Sequence, residues 1–286
     1  MILPRPLAWS ALAISLFACA GCSLALDVAE AQCSTDADCE GRGADFAGTI
    51  CLDQTCQTKP APVDPKWGCV GKVEPPKAGG MDTIKLQMLD LISNKPAKGL
   101  SIKLCNKYDP MCAAPIGMPM ADDMGWVSAT VPSDVETYLE VISVDDSYMP
   151  ALVFMDHVAA HKNTDIQLVP PDIAKGLGTT AGVTIDPATG IVLVRTADCT
   201  DERSAGVSTT IFPSDKETRF YVINSSVSPN ATKTDSAGNA GFVNVAPGNP
   251  EIAGTLGPDG MGIGKVTTLI RAGFMTFQVL RPTATL

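Results

Sequence analysis

The residues with the most chemical potential in this chain are its ten cysteines and two histidines. His157 and His161 occur in Met155-Asp156-His157-Val158-Ala159-Ala160-His161. On a helix that spacing puts both imidazoles on one face, where Asp156 could complete a grip on a metal. No Glu follows His157, so the zinc-protease arrangement H-E-x-x-H is absent and the pair reads as a solvated connection between strands. Serine chemistry lacks its G-x-S-x-G elbow. The acid pairs Asp122-Asp123 and Asp145-Asp146 are adjacent residues. Neighbours on a strand face opposite ways, so neither pair makes an acid/base dyad, and both read as turn caps, with weak calcium ligation as the alternative. The stretch Gly257-Pro258-Asp259-Gly260-Met261-Gly262-Ile263-Gly264 contains G-x-G but follows no βα pattern, so it reads as a hairpin loop. These residues assign no catalytic, cofactor-binding or metal-binding role, and the expectation is a protein that is not an enzyme.

Cysteine chemistry is more informative. Cys19 and Cys22 close an apolar stretch at residues 7–20, preceded by the single base Arg5. That stretch is short of the roughly 20 residues a spanning helix needs, and it fits the apolar region of an export signal. Small Ala20 and Gly21 lead directly into Cys22. The junction resembles the lipobox of bacterial lipoproteins, although Cys19 stands where Leu is usual. The competing frame Leu16-Phe17-Ala18-Cys19 has the Leu but a bulky Phe. The resemblance implies lipidation at Cys22, with Cys19 as runner-up, and attachment to a membrane through acyl chains that each contribute about 0.8 kcal/mol per buried methylene. Ser23 in place of Asp implies the outer membrane of a Gram-negative envelope.

Eight cysteines remain: Cys33, Cys39, Cys51, Cys56, Cys69, Cys105, Cys112 and Cys199. An even number in an exported chain predicts disulfides. Four of them crowd into C-x5-C-x11-C-x4-C at residues 33–56, among polar and Gly-rich residues that cannot build a core unaided. Zinc is the rival reading, but no C-x2-C pair and no nearby His support it. Spacing leaves the connectivity open; the crossed pairs Cys33–Cys51 and Cys39–Cys56 are expected. Cys105 and Cys112 bracket a short polar turn, and Cys69 and Cys199 are left for each other by elimination.

The elements that must position these residues are strands. Polar and apolar residues alternate at 83–88 and 100–104, as half-buried strands require. Further strands are predicted at 125–131, 138–144, 151–155 and 165–169. A second series follows at 182–185, 191–197, 207–212, 219–223, 241–245, 251–255, 264–270 and 274–280. One short helix is predicted at 171–177. Residues 57–66 hold a Pro-rich run that should be an extended spacer.

The two series look like a diverged repeat. Ala121-Asp122-Asp123-Met124-Gly125-Trp126-Val127 matches Thr234-Asp235-Ser236-Ala237-Gly238-Asn239-Ala240, and the second copy runs on to Pro247-Gly248. Asp caps a turn with its side chain, Gly supplies the positive φ, and the next apolar residues enter a core. Trp126 falls where a core residue is expected. The stretch from Thr234, with Asp235, Gly238, Pro247 and Gly248 as the turn motif, resembles the carboxypeptidase regulatory-like domain, a transthyretin-like sandwich. It departs in carrying Gly241 inside the strand. Intradiol dioxygenases have a related sandwich and bind iron through Tyr and His, but Tyr108, Tyr138, Tyr148 and Tyr221 sit in no such motif.

The resemblance implies an all-β fold: two tandem transthyretin-like or Ig-like antiparallel β-sandwiches after a small disulfide-rich module. The expected organisation is a signal peptide at 1–21, a lipidated tether at 22–32, a Cys-rich module at 33–56, a Pro-rich linker at 57–77, sandwich 1 at 78–170 and sandwich 2 at 171–286. Without residues 1–21 the chain has 20 Lys and Arg against 31 Asp and Glu, a formal charge of −11. A polyanion would be repelled, so nucleic acid is excluded as a partner. The sequons at Asn224 and Asn230 argue for a surface position of 224–232. The expected function is a non-catalytic, envelope-anchored surface lipoprotein whose sandwiches serve structural, adhesion or protein-contact roles. The alternative is a carbohydrate-binding module. Related sandwiches bind glycans, but the exposed aromatic platforms this needs are scarce, with Trp67 and Trp126 the tryptophans left after export.

Overall fold

The computed structural model describes residues 31–58, 64–74, 79–133, 135–155, 164–213, 218–256 and 260–283. Two units divide at Pro62 and Val63. The first holds a short helix α1 (Asp36–Glu40) and a hairpin of β1 (Thr49–Leu52) and β2 (Thr55–Thr58). Thr35 begins α1 with a capping box, in which the Asp38 carboxylate accepts from the Thr35 N–H at 2.8 Å. Asp53 and Gln54 join the strands with φ of 49° and 61°, the positive values a two-residue hairpin turn demands.

The second unit carries the remaining strands, which are β3 (Met81–Asp90), β4 (Leu100–Asn106), β5 (Trp126–Pro132), β6 (Thr137–Ser143), β7 (Ala151–Met155) and β8 (Thr164–Leu168), then helix α2 (Pro171–Thr180). After it come β9 (Gly190–Thr196), β10 (Val207–Phe212), β11 (Thr218–Ile223), β12 (Ser226–Ser228), β13 (Asn239–Val245), β14 (Glu251–Leu256), β15 (Gly262–Thr267) and β16 (Met275–Leu280). The fold is all-β. Period-two burial drives it: Ile84, Leu86 and Met88 of β3 meet Val127, Ala129 and Val131 of β5 in one core. A second core holds Val192, Val194, Phe242, Ile252 and Leu280. Helix α2 lays Ala174 and Leu177 against Ile191, Phe220 and Val243, on the face of β9, β11 and β13 opposite that core.

Pairing exposes the duplication. In the first half, β3 lies between antiparallel β5 and parallel β8, while β4, β6 and β7 form the facing ladder. In the second half, β9 lies between antiparallel β13 and parallel β16, while β10, β14 and β15 form the facing ladder. The hairpin of β11 and β12 is added to β13, and its turn at Asn224-Ser225 is exposed.

The sandwiches are not merely in tandem. β16 pairs in parallel with β9 through Met275↔Ile191 and with β7 through Met275↔Ala151. The result is one eight-stranded sheet, β12-β11-β13-β9-β16-β7-β6-β4, shared by both halves.

Four sequence expectations need correction. Residues 182–185 are irregular rather than a strand. Gly182 has φ of 82°, and the Val183 N–H donates to the Gly178 carbonyl at 2.9 Å, so the segment ends α2. The spacer expected at 57–66 is trimmed at both ends, since Thr58 closes β2 and Asp64 caps a 3₁₀ turn over Pro65–Trp67 with Trp67 buried against Val207 and Ile263, while 59–63 lie outside the described residues. Trp126 is half-buried on the outward side of β5, because Val127, Ala129 and Val131 take the core positions. Helical structure also includes α1, which was not expected.

Candidate functional site

Cys19, Cys22, His157 and His161 lie outside the described residues. The other cysteines form four disulfides, Cys33–Cys51, Cys39–Cys56, Cys69–Cys199 and Cys105–Cys112. Cys51 and Cys56 face each other across the hairpin, yet each bonds back to the segment carrying α1. This crossed arrangement brings the sulfurs of Cys33, Cys39 and Cys51 within 4.8 Å of one another. In the bridged form they offer no thiolate to a metal. Cys69–Cys199 spans 130 residues and fixes the Trp67 turn beside the loop after β9, where the Cys199 N–H also donates to the Lys66 carbonyl at 2.9 Å.

The turn motif is built twice. Asp122 Oδ1 accepts from the N–H of Met124 and of Trp126, at 2.9 and 2.8 Å. Asp235 Oδ1 accepts from Ala237 N–H at 2.9 Å, and its Oδ2 from Asn224 N–H at 2.8 Å. Gly125 and Gly238 follow with φ of 76° and 65°. Their carbonyls accept from Met88 and Thr196 N–H at 2.8 and 2.7 Å, at equivalent places on β3 and β9. Thr234 is buried; its Oγ1 donates to the Ser204 carbonyl and accepts from Val207 N–H. Gly248 makes a two-way backbone bridge with Ile270 that closes the second sandwich behind Pro247. The motif therefore holds the fold and presents no reactive group.

The most concentrated polar chemistry is a cluster that sequence reasoning missed. Glu140 on β6 and Arg271, in the loop before β16, are ion-paired with side chains only 7% and 12% exposed. Lys103 of β4 donates to the other Glu140 oxygen at 3.0 Å. Arg271 Nη2 donates to Tyr138 Oη at 2.8 Å and Arg271 Nε to the Pro110 carbonyl at 2.7 Å. Tyr138 Oη donates in turn to the Asp109 carbonyl at 2.7 Å. The guanidinium also lies over the rings of Tyr138 and Phe274. Burial pushes Glu140 up, but hydrogen bonds from Arg271 and Lys103 outweigh it and hold the carboxyl below its ordinary value. Burial pushes the Tyr138 hydroxyl up, against the opposing Arg271 charge. Each arm of the guanidinium and each oxygen of the carboxylate is engaged, so the cluster ties its neighbours together. It fastens the 106–112 disulfide loop of the first half to the β15–β16 loop of the second. No local motif signals it, because its members come from four places in the sequence.

Of the two candidate aromatic platforms, Trp67 is buried and Trp126 half-buried. Among the described residues no helix is long and apolar enough to cross a membrane.

No protein-family model matches the chain, and no curated protein does. Similar solved structures include the Bacillus anthracis TIE protein, at 11% identity and a TM-score of 0.26, covering 70% of this chain and 34% of that one. The chain thus spans about a third of that protein's length. The shaft pilin SpaA of Lactobacillus rhamnosus GG is 13% identical with a TM-score of 0.25, covering 72% of this chain and 100% of the pilin. BcpA, the major pilin subunit of Bacillus cereus, is 8% identical with a TM-score of 0.26, covering 71% and 100%. The all-β fold of this chain is defined by its own strand pairing.

Proposed function

We propose that the protein is exported, anchored to the cell envelope through a lipid on Cys22, and works as a non-catalytic structural or contact module built from fused β-sandwiches. The observation that carries this reading is the disulfide set. Four bridges, two of them crossed in a segment too polar to fold on a core, suit an oxidising compartment. The apolar stretch at 7–20 followed by Ala20-Gly21-Cys22 supplies the route and the anchor. Ser23 favours the Gram-negative outer membrane as its address. The fused sheet, the ionic tie at Arg271 and the 130-residue bridge suit a rigid module that holds its surface in a fixed form.

The test is mass spectrometry and fractionation of the native protein. The expected product starts at Cys22, carries acyl chains and sits in the membrane fraction, and Cys22→Ala releases it into the soluble fraction. An unprocessed Met1 with reduced thiols would overturn the reading. A glycan array on the released form tests the carbohydrate alternative. Saturable sugar binding lost in Trp126→Ala would favour that alternative.

A further inference from the structure

Four of the eleven methionines lie between residues 111 and 124. Met111, Met118, Met120 and Met124 are 71%, 66%, 86% and 60% exposed, whereas Met88, Met155 and Met275 are buried. Large apolar side chains gathered on a surface call for an explanation that core packing does not provide.

The backbone of this segment is held at both ends. Ile116 N–H donates to the Leu104 carbonyl at 2.7 Å, and Leu104 N–H donates to the Gly117 carbonyl at 2.8 Å. At the far end Ala121 bridges Val127, and Asp122 N–H donates to the Trp126 carbonyl at 2.9 Å. Residues 116–121 therefore run as a strap from β4, the edge of the eight-stranded sheet, to β5, the edge of the three-stranded one. Exposure alternates along it: Ile116, Met118 and Met120 are exposed, while Gly117, Pro119 and Ala121 are half-buried. Met118 and Met120 thus share the outward face, with backbones about 6.6 Å apart for an extended chain. The Asp122 turn then folds the chain back and presents Met124 at its tip.

We propose that Met118 and Met120, with Met124 as third ligand, form a surface site for Cu(I), a soft monovalent cation. Thioether sulfur is a soft, neutral donor suited to Cu(I), and hard oxygen ligands are not. Among the described residues every cysteine is spent in a disulfide, so methionine supplies the remaining soft sulfur. Unbranched side chains with three rotatable bonds can converge on one ion from a backbone that is already fixed. The site rests on none of the envelope reading above and involves no change in oxidation state.

Ag(I) is the probe, because it shares this coordination chemistry and needs no reductant that would open the disulfides. Calorimetry on the full chain carrying Cys19→Ala and Cys22→Ala, so that no thiol outside the four disulfides competes, should find one Ag(I) per molecule. Met118→Leu/Met120→Leu should weaken binding by about tenfold or more, and Met81→Leu, another exposed methionine, should leave it unchanged. These leucines replace exposed side chains of similar size, so folding is not at issue. With methyl-labelled methionine, the signals of Met118, Met120 and Met124 should shift together on adding Ag(I), while those of Met88 and Met275 stay in place. Equal affinity in the double Leu variant, or a Met124 signal that does not move, would overturn the proposed ligand set.

Discussion

Arg271 and Glu140 illustrate how unevenly one pair can weigh on stability. Removing Glu140 leaves the Arg271 charge buried without its counter-ion, which typically costs about 3–5 kcal/mol, whereas removing Arg271 leaves Glu140 its bond to Lys103. Glu140→Ala should lower the urea midpoint accordingly, whereas the double replacement Arg271→Met/Glu140→Gln should cost less than that single truncation. The same pair sets a pH dependence. Burial raises Glu140, but its bonds to Arg271 and Lys103 prevail, so the folded carboxyl titrates below its unfolded value of about 4.3. The pair's stabilisation is therefore complete above that value and is lost as pH falls through the lower, folded one. Glu140→Gln should flatten the acid limb of the stability–pH curve, and an unaltered limb would refute the assignment. None of this was legible beforehand, since Lys103, Tyr138, Glu140 and Arg271 look like ordinary surface residues until β4, β6 and the 271 loop meet.

At the scale of the element, turns and strands were written plainly. Asp122 and Asp235 three residues before Gly125 and Gly238 announced both the turn and the strand after it. A Cβ on Gly125 would stand 2.5 Å from the Met88 carbonyl oxygen, and one on Gly238 would stand 2.7 Å from that of Thr196. Gly125→Ala and Gly238→Ala should each cost roughly 2 kcal/mol or more, from the positive φ and the close approach together. Thermal denaturation should rank them alike if the two turns are true equivalents. Gly241, which breaks the expected strand pattern, has a steric reason: a Cβ there would lie 2.3 Å from the Phe220 ring. Gly241→Ala should destabilise by about 1–3 kcal/mol through forced repacking. The false strand at 182–185 shows the limit of composition. Val183, Thr184 and Ile185 have strand chemistry, but Gly182 turns the chain at the end of α2 and Ile185 packs beside Gly178.

For the molecule as a whole, the shared sheet makes the two halves of residues 63–286 one structural body. Because β16 completes both, those residues should unfold in a single transition, with coincident fluorescence and circular dichroism curves. Two resolved transitions would show that the halves are independent. The Cys69–Cys199 bridge closes so long a loop that chain entropy assigns it roughly 5 kcal/mol. Cys69→Ala/Cys199→Ala should lower the midpoint of that same transition.

The chain's own sequence determined the strand-rich character, the turns, the duplication and the bridging of its cysteines, because each of these follows from local periodicity, backbone preference or the parity of a reactive residue. Tertiary structure alone decided that β16 joins β7 as well as β9, that Trp67 is packed away beneath the second sandwich, and that Arg271 meets Glu140. Those outcomes depend on which distant segments come together, and an alternating pattern records which side of a strand is buried without recording its neighbour.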